Sequence, residues 1–150
     1  MDFEDIRNYR QAAPDLATSG QPKEEDLADI AEAGYQVVIN LALHDDPRYS
    51  LKDEAATVRG LGMHYVHIPV RFEKPTPADL GAFFEAMELN ANRRIWLHCA
   101  ANMRVTAFLG LFRVLRQNWK KELAFDLMHG VWKPNKTWAD FILGMLARKR

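Results

Sequence analysis

Three apolar runs, each followed by a stretch of helical periodicity, limit this chain more than any other feature of its sequence. Val37-Val38-Ile39 sits inside a predicted strand from Tyr35 to Ala42. Val66, Ile68 and Val70 alternate along a second strand from Met63 to Val70, and Arg94 to Leu97 forms a third. A continuous run such as Val37–Ile39 implies burial on both faces, the habit of strands in a parallel sheet. Helices are predicted around them. Pro22 to Glu32 has proline in its first turn, Leu27, Ile30 and Ala31 on one face, and Gly34 as its stop. Leu51 to Leu61 is the second helix. Thr76-Pro77-Ala78-Asp79 opens a third with a capping-box pattern, followed by Leu80, Phe83, Phe84 and Met87 at helical spacing. Beyond residue 104 the pattern is helical to the end: Val105 to Gln117, apolar all round and therefore buried, then Lys120 to His129 and Lys136 to Arg148, separated by a turn over Gly130–Asn135. This order predicts an α/β fold, with a mainly parallel central sheet flanked by helices and a helical C-terminus. With 150 residues and no repeat or linker, one domain spanning residues 1–150 is expected.

Charge excludes several classes of partner. Twenty basic residues balance twenty acidic ones, so no basic field argues for nucleic acid or a membrane surface. No apolar run reaches the length of a membrane span, and MDFEDIRNYR has no apolar segment of a signal peptide. A lone cysteine forms no internal disulfide and fits a reducing cytosol. A soluble cytoplasmic protein is expected.

That cysteine, Cys99, stands where the third strand ends, in Leu97-His98-Cys99-Ala100-Ala101-Asn102-Met103-Arg104. A strand, a loop of small residues, an arginine and a helix suit a thiolate in an anion cradle. Amides at a helix N-terminus and a nearby guanidinium lower a thiol's pKa, and the same groups bind a tetrahedral oxyanion. The competing reading is an inert buried cysteine. In open α/β sheets ligands bind beyond the carboxyl ends of strands, so the 43–49, 71–76 and 99–104 loops should meet at one edge.

These residues resemble the cysteine-dependent protein phosphatases, and specifically the compact dual-specificity-phosphatase-like domains of bacteria. The resemblance runs over roughly residues 18 to 115. It is carried by His98-Cys99, Arg104, Ile68-Pro69-Val70, Asp79-Leu80 with Phe83-Phe84, and the opening Ser19-Gly20-Gln21-Pro22. It implies a tyrosine- or dual-specificity-type phosphomonoesterase. Cys99 would attack phosphorus to form a cysteinyl-phosphate. The Ala100, Ala101, Asn102 and Met103 amides and Arg104 would hold the phosphate, and His98 would orient the loop. No metal and no cofactor are implied. The substrate would be a phosphorylated protein or small molecule; the oligomeric state is left open.

Three positions depart from that family's pattern. Four residues separate Cys99 from Arg104 where the family has five; Asn102 replaces a loop glycine; and Val105 replaces a hydroxyl residue, with Thr106 one position later as the substitute. Asparagine tolerates positive φ, so the turn survives. A four-residue gap is also the loop length of rhodanese-like sulfurtransferases, which makes a Cys99 persulfide the second reading. A weakly catalytic phosphate- or oxyanion-binding module is the third.

Glu73, in Arg71-Phe72-Glu73-Lys74-Pro75, occupies the slot of the general acid, against an exposed glutamate paired with Arg71 or Lys74. Asp79 is better explained by the capping box. Asp45 and Asp46, at a strand end before Pro47, fit a solvated turn but stay candidates. His64 and His67, three apart on a strand, face opposite sides and do not suggest a metal site. Trp132, Lys133, Asn135, Lys136 and Trp138 read as packing of the last helix with lysines in solvent, against a flank for substrate. Ala147-Arg148-Lys149-Arg150 reads as a solvated helix end.

Overall fold

The computed structural model describes residues 2–48 and 50–148. An antiparallel hairpin, β1 (Arg10–Ala13) and β2 (Leu16–Ser19), comes first and turns at Pro14-Asp15. Then follow α1 (Glu24–Glu32), β3 (Val37–Asn40), α2 (Glu54–Gly60), β4 (His64–His67), α3 (Pro77–Leu89), β5 (Ile95–His98) and α4 (Met103–Gln117). A short α5 (Lys121–Ala124), a 3-10 turn (Asp126–Met128) and α6 (Lys136–Ala147) complete the chain. The sheet order is β1-β2-β5-β3-β4, with all pairings parallel except β1 with β2. The α/β class, the mainly parallel sheet and the helical C-terminus are as the sequence implies.

Strand alternation sends successive side chains into two cores. Val37, Ile39, Ile95 and Leu97 pack with Phe83, Phe108, Leu111 and Trp138 from α3, α4 and α6. Val38, Trp96 and Ala17 pack with Leu27 and Ile30 of α1 and Val58 of α2. The middle strands are thus buried on both faces, which is why β3 and β5 read as continuous apolar runs. Helix α4 carries buried side chains from Val105 to Val114. No helix among the described residues is long and apolar enough to cross a membrane.

The parallel strands end in register: His98 lies opposite both Ser19 and Asn40, and Asn40 opposite His67. The loops that follow them therefore leave from one edge. Beyond β4, the Ile68 N–H donates to the Asn40 carbonyl (2.9 Å) and the Val70 N–H to the Leu41 carbonyl (3.0 Å). These bonds tie the 68–76 segment to the middle of the sheet.

Several expected boundaries are corrected. Pro22 precedes α1, and Lys23 is its N-cap, with its N–H donated to the Asp26 carboxylate at 2.8 Å. The second helix begins at Glu54, not Leu51, because the Asp53 side chain caps it by accepting the Ala56 N–H at 3.1 Å. The two strands predicted over Tyr35–Ala42 and Met63–Val70 pair regularly over only four residues each. Lys120–His129 is a broken element, and the N-terminal hairpin has no counterpart in the sequence reading. Gly110 of α4 helps place that broken segment: a Cβ there would lie 2.1 Å from the Phe125 ring. Trp138 packs in the core as expected, Asn135 caps α6, and Lys136 pairs with Asp140 at 2.7 Å. Of the terminal run, Ala147 ends α6 and Arg148 caps it; residues 149–150 lie outside the described residues.

Candidate active site

The carbonyls from His98 to Asn102 are each met by a donor, some local and some from distant stretches of the chain. The His98 carbonyl accepts the Leu41 N–H (2.8 Å), and the Cys99 carbonyl accepts His98 Nδ1–H (3.2 Å). The Ala100 carbonyl accepts the Gln21 N–H (3.1 Å), and the Ala101 carbonyl accepts Asn8 Nδ2 (2.9 Å). The Asn102 carbonyl accepts both the N–H (3.2 Å) and the hydroxyl (2.9 Å) of Thr106. The N–H groups of Ala100, Ala101, Met103 and Arg104 have no acceptor among the described residues. Two of these belong to the orphan donors that open every helix. Asn102 makes the turn at φ +63°, as an asparagine can, and its Nδ2 is held by the Asn8 carbonyl (2.8 Å) and the Thr18 hydroxyl (3.0 Å).

Arg104 lines a cavity of about 220 Å³ together with Ala100, Phe72, Glu73, Asp45 and Asp46. The three loops that the strand order sends to one edge do meet there. Its Nη1 donates to the Val70 carbonyl at 2.7 Å, and its guanidinium carbon lies 5.8 Å from the Phe72 ring centre. Its Nε is buried without a partner among the described residues. A guanidinium presents Nε and Nη2 along one edge, so anchoring Nη1 leaves that bidentate edge unengaged. Cys99 is fully buried beneath the loop and belongs to the same apolar core as Leu41 and Val105. Arg104 is thus fastened through Nη1 to the segment that follows β4, two strands away from the one that carries Cys99.

The candidate acids separate. Glu73 is on the cavity and exposed, and Arg71 Nε donates to it at 2.7 Å. A hydrogen bond from its own N–H, then Arg71 and the charge of Arg104, hold its carboxyl below the ordinary glutamate value. Asp46 also lines the cavity, but hydrogen bonds from the Arg48 side chain and N–H lower its pKa. Asp45 lines it as well and is exposed. Asp79 is the capping residue: it accepts the Thr76 N–H while its own N–H donates to the Thr76 hydroxyl, both at 3.1 Å. The Thr106 hydroxyl has its bonds with groups other than the sulfur among the described residues. It bonds the Asn102 carbonyl and accepts Trp132 Nε1 at 3.0 Å, so it braces the loop from behind. Of the histidines set aside, His64 is exposed and His67 stacks on His44 at 4.3 Å.

The sequence reading missed the scaffold around the loop. His98 Nε2 lies 2.6 Å from Glu54 Oε2, and both side chains are fully buried. Gln21 Nε2 donates to the other oxygen of Glu54 at 2.7 Å. Burial alone would raise the Glu54 carboxyl; the charge of His98 and hydrogen bonds from His98 and Gln21 outweigh it and hold the pKa below the ordinary value. Gly20 completes the frame. A Cβ at residue 20 would lie 2.6 Å from the Ala100 carbonyl oxygen and 3.1 Å from the Arg7 carbonyl. Gly20→Ala is expected to destabilise by about 1–3 kcal/mol, because backbone atoms on both sides must move. A denaturant midpoint unchanged from the parent would show that the loop yields there.

Comparisons with known proteins give the family and the fold. The family profile for the phosphatase-like domain of beta-lactamase hydrolase-like proteins matches residues 8–114. The beta-lactamase hydrolase-like protein of Xylella fastidiosa (strain Temecula1) is 30% identical over 116 residues, which cover 76% of this chain and 27% of that protein. The chain thus spans about a quarter of the length of the curated relatives it matches. A Shewanella putrefaciens protein, named only provisionally as a phosphatase, superposes with a TM-score of 0.86 at 31% identity, covering 97% of this chain and 95% of that one. TpbA of P. aeruginosa, at 17% identity, shares the fold with a TM-score of 0.75 over 96% of this chain and 88% of its own. With the profile spanning residues 8–114 and a relative 30% identical over 76% of the chain, the chain belongs to the family of phosphatase-like domains found in beta-lactamase hydrolase-like proteins.

Proposed function

We propose that the chain hydrolyses phosphomonoesters through Cys99, by the route of the tyrosine and dual-specificity phosphatases. The observation that carries this reading is the anchoring of Arg104: with Nη1 held by Val70, the Nε–Nη2 edge and the unpaired amides of Ala100, Ala101 and Met103 form a donor set for three phosphate oxygens. In the first step the Cys99 sulfur attacks phosphorus from beneath the loop; the S–P bond forms as the P–O bond to the leaving group breaks, and Glu73 gives the leaving oxygen its proton. In the second, the Glu73 carboxylate takes a proton from water, the hydroxide oxygen bonds phosphorus, and the S–P bond breaks to return the thiolate and inorganic phosphate. Glu73 carries no proton at rest near neutral pH, given its lowered pKa. A phosphate dianion held beside it by Arg104 opposes that lowering, since a like charge disfavours the carboxylate.

TpbA has been solved with phosphotyrosine. A phosphorylated protein or small molecule is accordingly the substrate class proposed here, and a reducing, cytoplasmic setting keeps the lone thiol free for it. Hydrolysis of p-nitrophenyl phosphate in the presence of a chelator is the expected result. Glu73→Gln is expected to slow a poor leaving group by about a hundredfold and a nitrophenolate leaving group only a fewfold. Equal effects on both would remove Glu73 from the proton transfer.

A second reading, sulfur transfer through a Cys99 persulfide, is favoured by one observation. The sulfur lies wholly within the apolar core, beneath a four-residue loop, with no charged group bonded to it among the described residues. Thiocyanate formation from thiosulfate and cyanide, without phosphate release from esters, would replace the first reading with this one.

A further inference from the structure

Helix α2 has only seven residues, yet its first, Glu54, is a fully buried carboxylate. Burying a carboxylate is unfavourable unless every lone pair is met, and here both oxygens are: Oε1 by Gln21 and Oε2 by His98. His98 is bound at both nitrogens. The Cys99 carbonyl facing Nδ1 can only accept, and an ionised carboxylate facing Nε2 can only accept. Both ring nitrogens must therefore donate. The same Gln21 whose side chain holds Glu54 uses its main-chain N–H on the Ala100 carbonyl. Glu54 thus governs two successive carbonyls of the loop, Cys99 through His98 and Ala100 through Gln21.

We propose that Glu54 is a positioning residue for the Cys99–Arg104 loop: it keeps both nitrogens of His98 protonated, fixes the turn at Gln21, and so holds the first two loop carbonyls outward and their following amides inward. The inference rests on the reading that this loop carries the reaction, and it adds a residue remote in sequence to it. Removing the charge while keeping the shape, as in Glu54→Gln, leaves His98 with one ring proton, and its bond to residue 54 becomes a neutral one with the roles exchanged, Nε2 accepting from the amide. The other titratable groups that feel the Glu54 charge are Tyr65 of β4 and His44 of the loop after β3; neither bonds the loop carbonyls.

Two measurements test it. Proton NMR of the full chain near neutral pH should show two slowly exchanging ring N–H protons for His98, and Glu54→Gln should retain one. In p-nitrophenyl phosphate hydrolysis, Glu54→Gln should lower kcat by about 30-fold with KM within about threefold, because a neutral bond fixes the His98 ring, and with it the loop amides, less firmly than the charged pair. The same substitution in a His98→Asn background should cost less than about twofold, since a residue acting through His98 adds little once His98 is gone. A single ring proton in the wild-type protein overturns the proposal, as does a Glu54→Gln cost that multiplies undiminished in the His98→Asn background. If the wild-type protein hydrolyses no ester, the phosphatase reading fails, and the ring protons still decide the role of Glu54. They decide it equally if Glu54→Gln does not fold.

Discussion

Cys99→Ser is expected to bring p-nitrophenyl phosphate hydrolysis to background, a loss on the order of 10⁴-fold or more, because a serine hydroxyl is a far weaker nucleophile with no base beside it. The hydroxyl sits where the thiol was, fully buried in the apolar core, so it also pays a modest stability cost of about 1–3 kcal/mol for an unmet polar group. Oxyanion binding should survive. Phosphate or tungstate should protect the variant against heat about as well as it protects the parent, since the cradle is made of amides and Arg104. Loss of turnover with binding retained identifies a nucleophile. Loss of both would mean that the cysteine supports the loop only by packing, and turnover that persists would place the chemistry elsewhere.

Trp138→Ala should have the largest effect on stability, about 3–5 kcal/mol, as for other fully buried large aromatics. The indole packs against Phe108, Phe141, Trp132 and Phe72 with ring centres 5.8–5.9 Å apart. It also donates Nε1–H to the Phe72 carbonyl at 2.7 Å. A fall in Tm of roughly 10 °C is expected for a chain of this size. Trp138→Phe keeps most of the packing and deletes the hydrogen bond, so it should cost only about 1 kcal/mol beyond the lost ring volume. Phe72 adjoins Glu73, and this milder variant should therefore slow esters with poor leaving groups more than its stability loss explains. Parent-like leaving-group dependence in Trp138→Phe would show that α6 does not hold the acid loop. A melting point lowered by less than 3 °C in Trp138→Ala would show that the core closes around the gap.

How far these features are legible in the sequence depends on the range of the interactions behind them. The Val37–Ile39 run, the Thr76–Asp79 box and the strand–loop–helix around Cys99 are local patterns, and each appears in the structure with its expected character. The hairpin of Arg10–Ala13 with Leu16–Ser19 escaped because four-residue strands of small and polar residues carry no period to detect; only Pro14-Asp15 marked a turn. Lys120–His129 has helical composition but breaks at Phe125, whose ring is taken by the space above Gly110. At the site, Cys99, Arg104 and Glu73 could be named from spacing and resemblance. Glu54 could not: an acid in the first turn of a charged helix reads as a dipole partner facing water, and only tertiary packing shows it enclosed. Nor could spacing foresee that a main-chain oxygen of Val70 fastens Arg104, or that Thr106 faces Trp132.

The curvature of the Cys99–Arg104 segment is imposed from outside it. Asn8 and Gln21, from two distant stretches of chain, supply the clasps, while Ala100 and Ala101 contribute only a backbone to be clasped. The segment is thus closer to a string drawn tight over fixed pegs than to a spring with its own shape. Its letters can drift among small side chains while the pegs stand, and grafting those six residues alone onto another sheet would transfer the lettering without the bend.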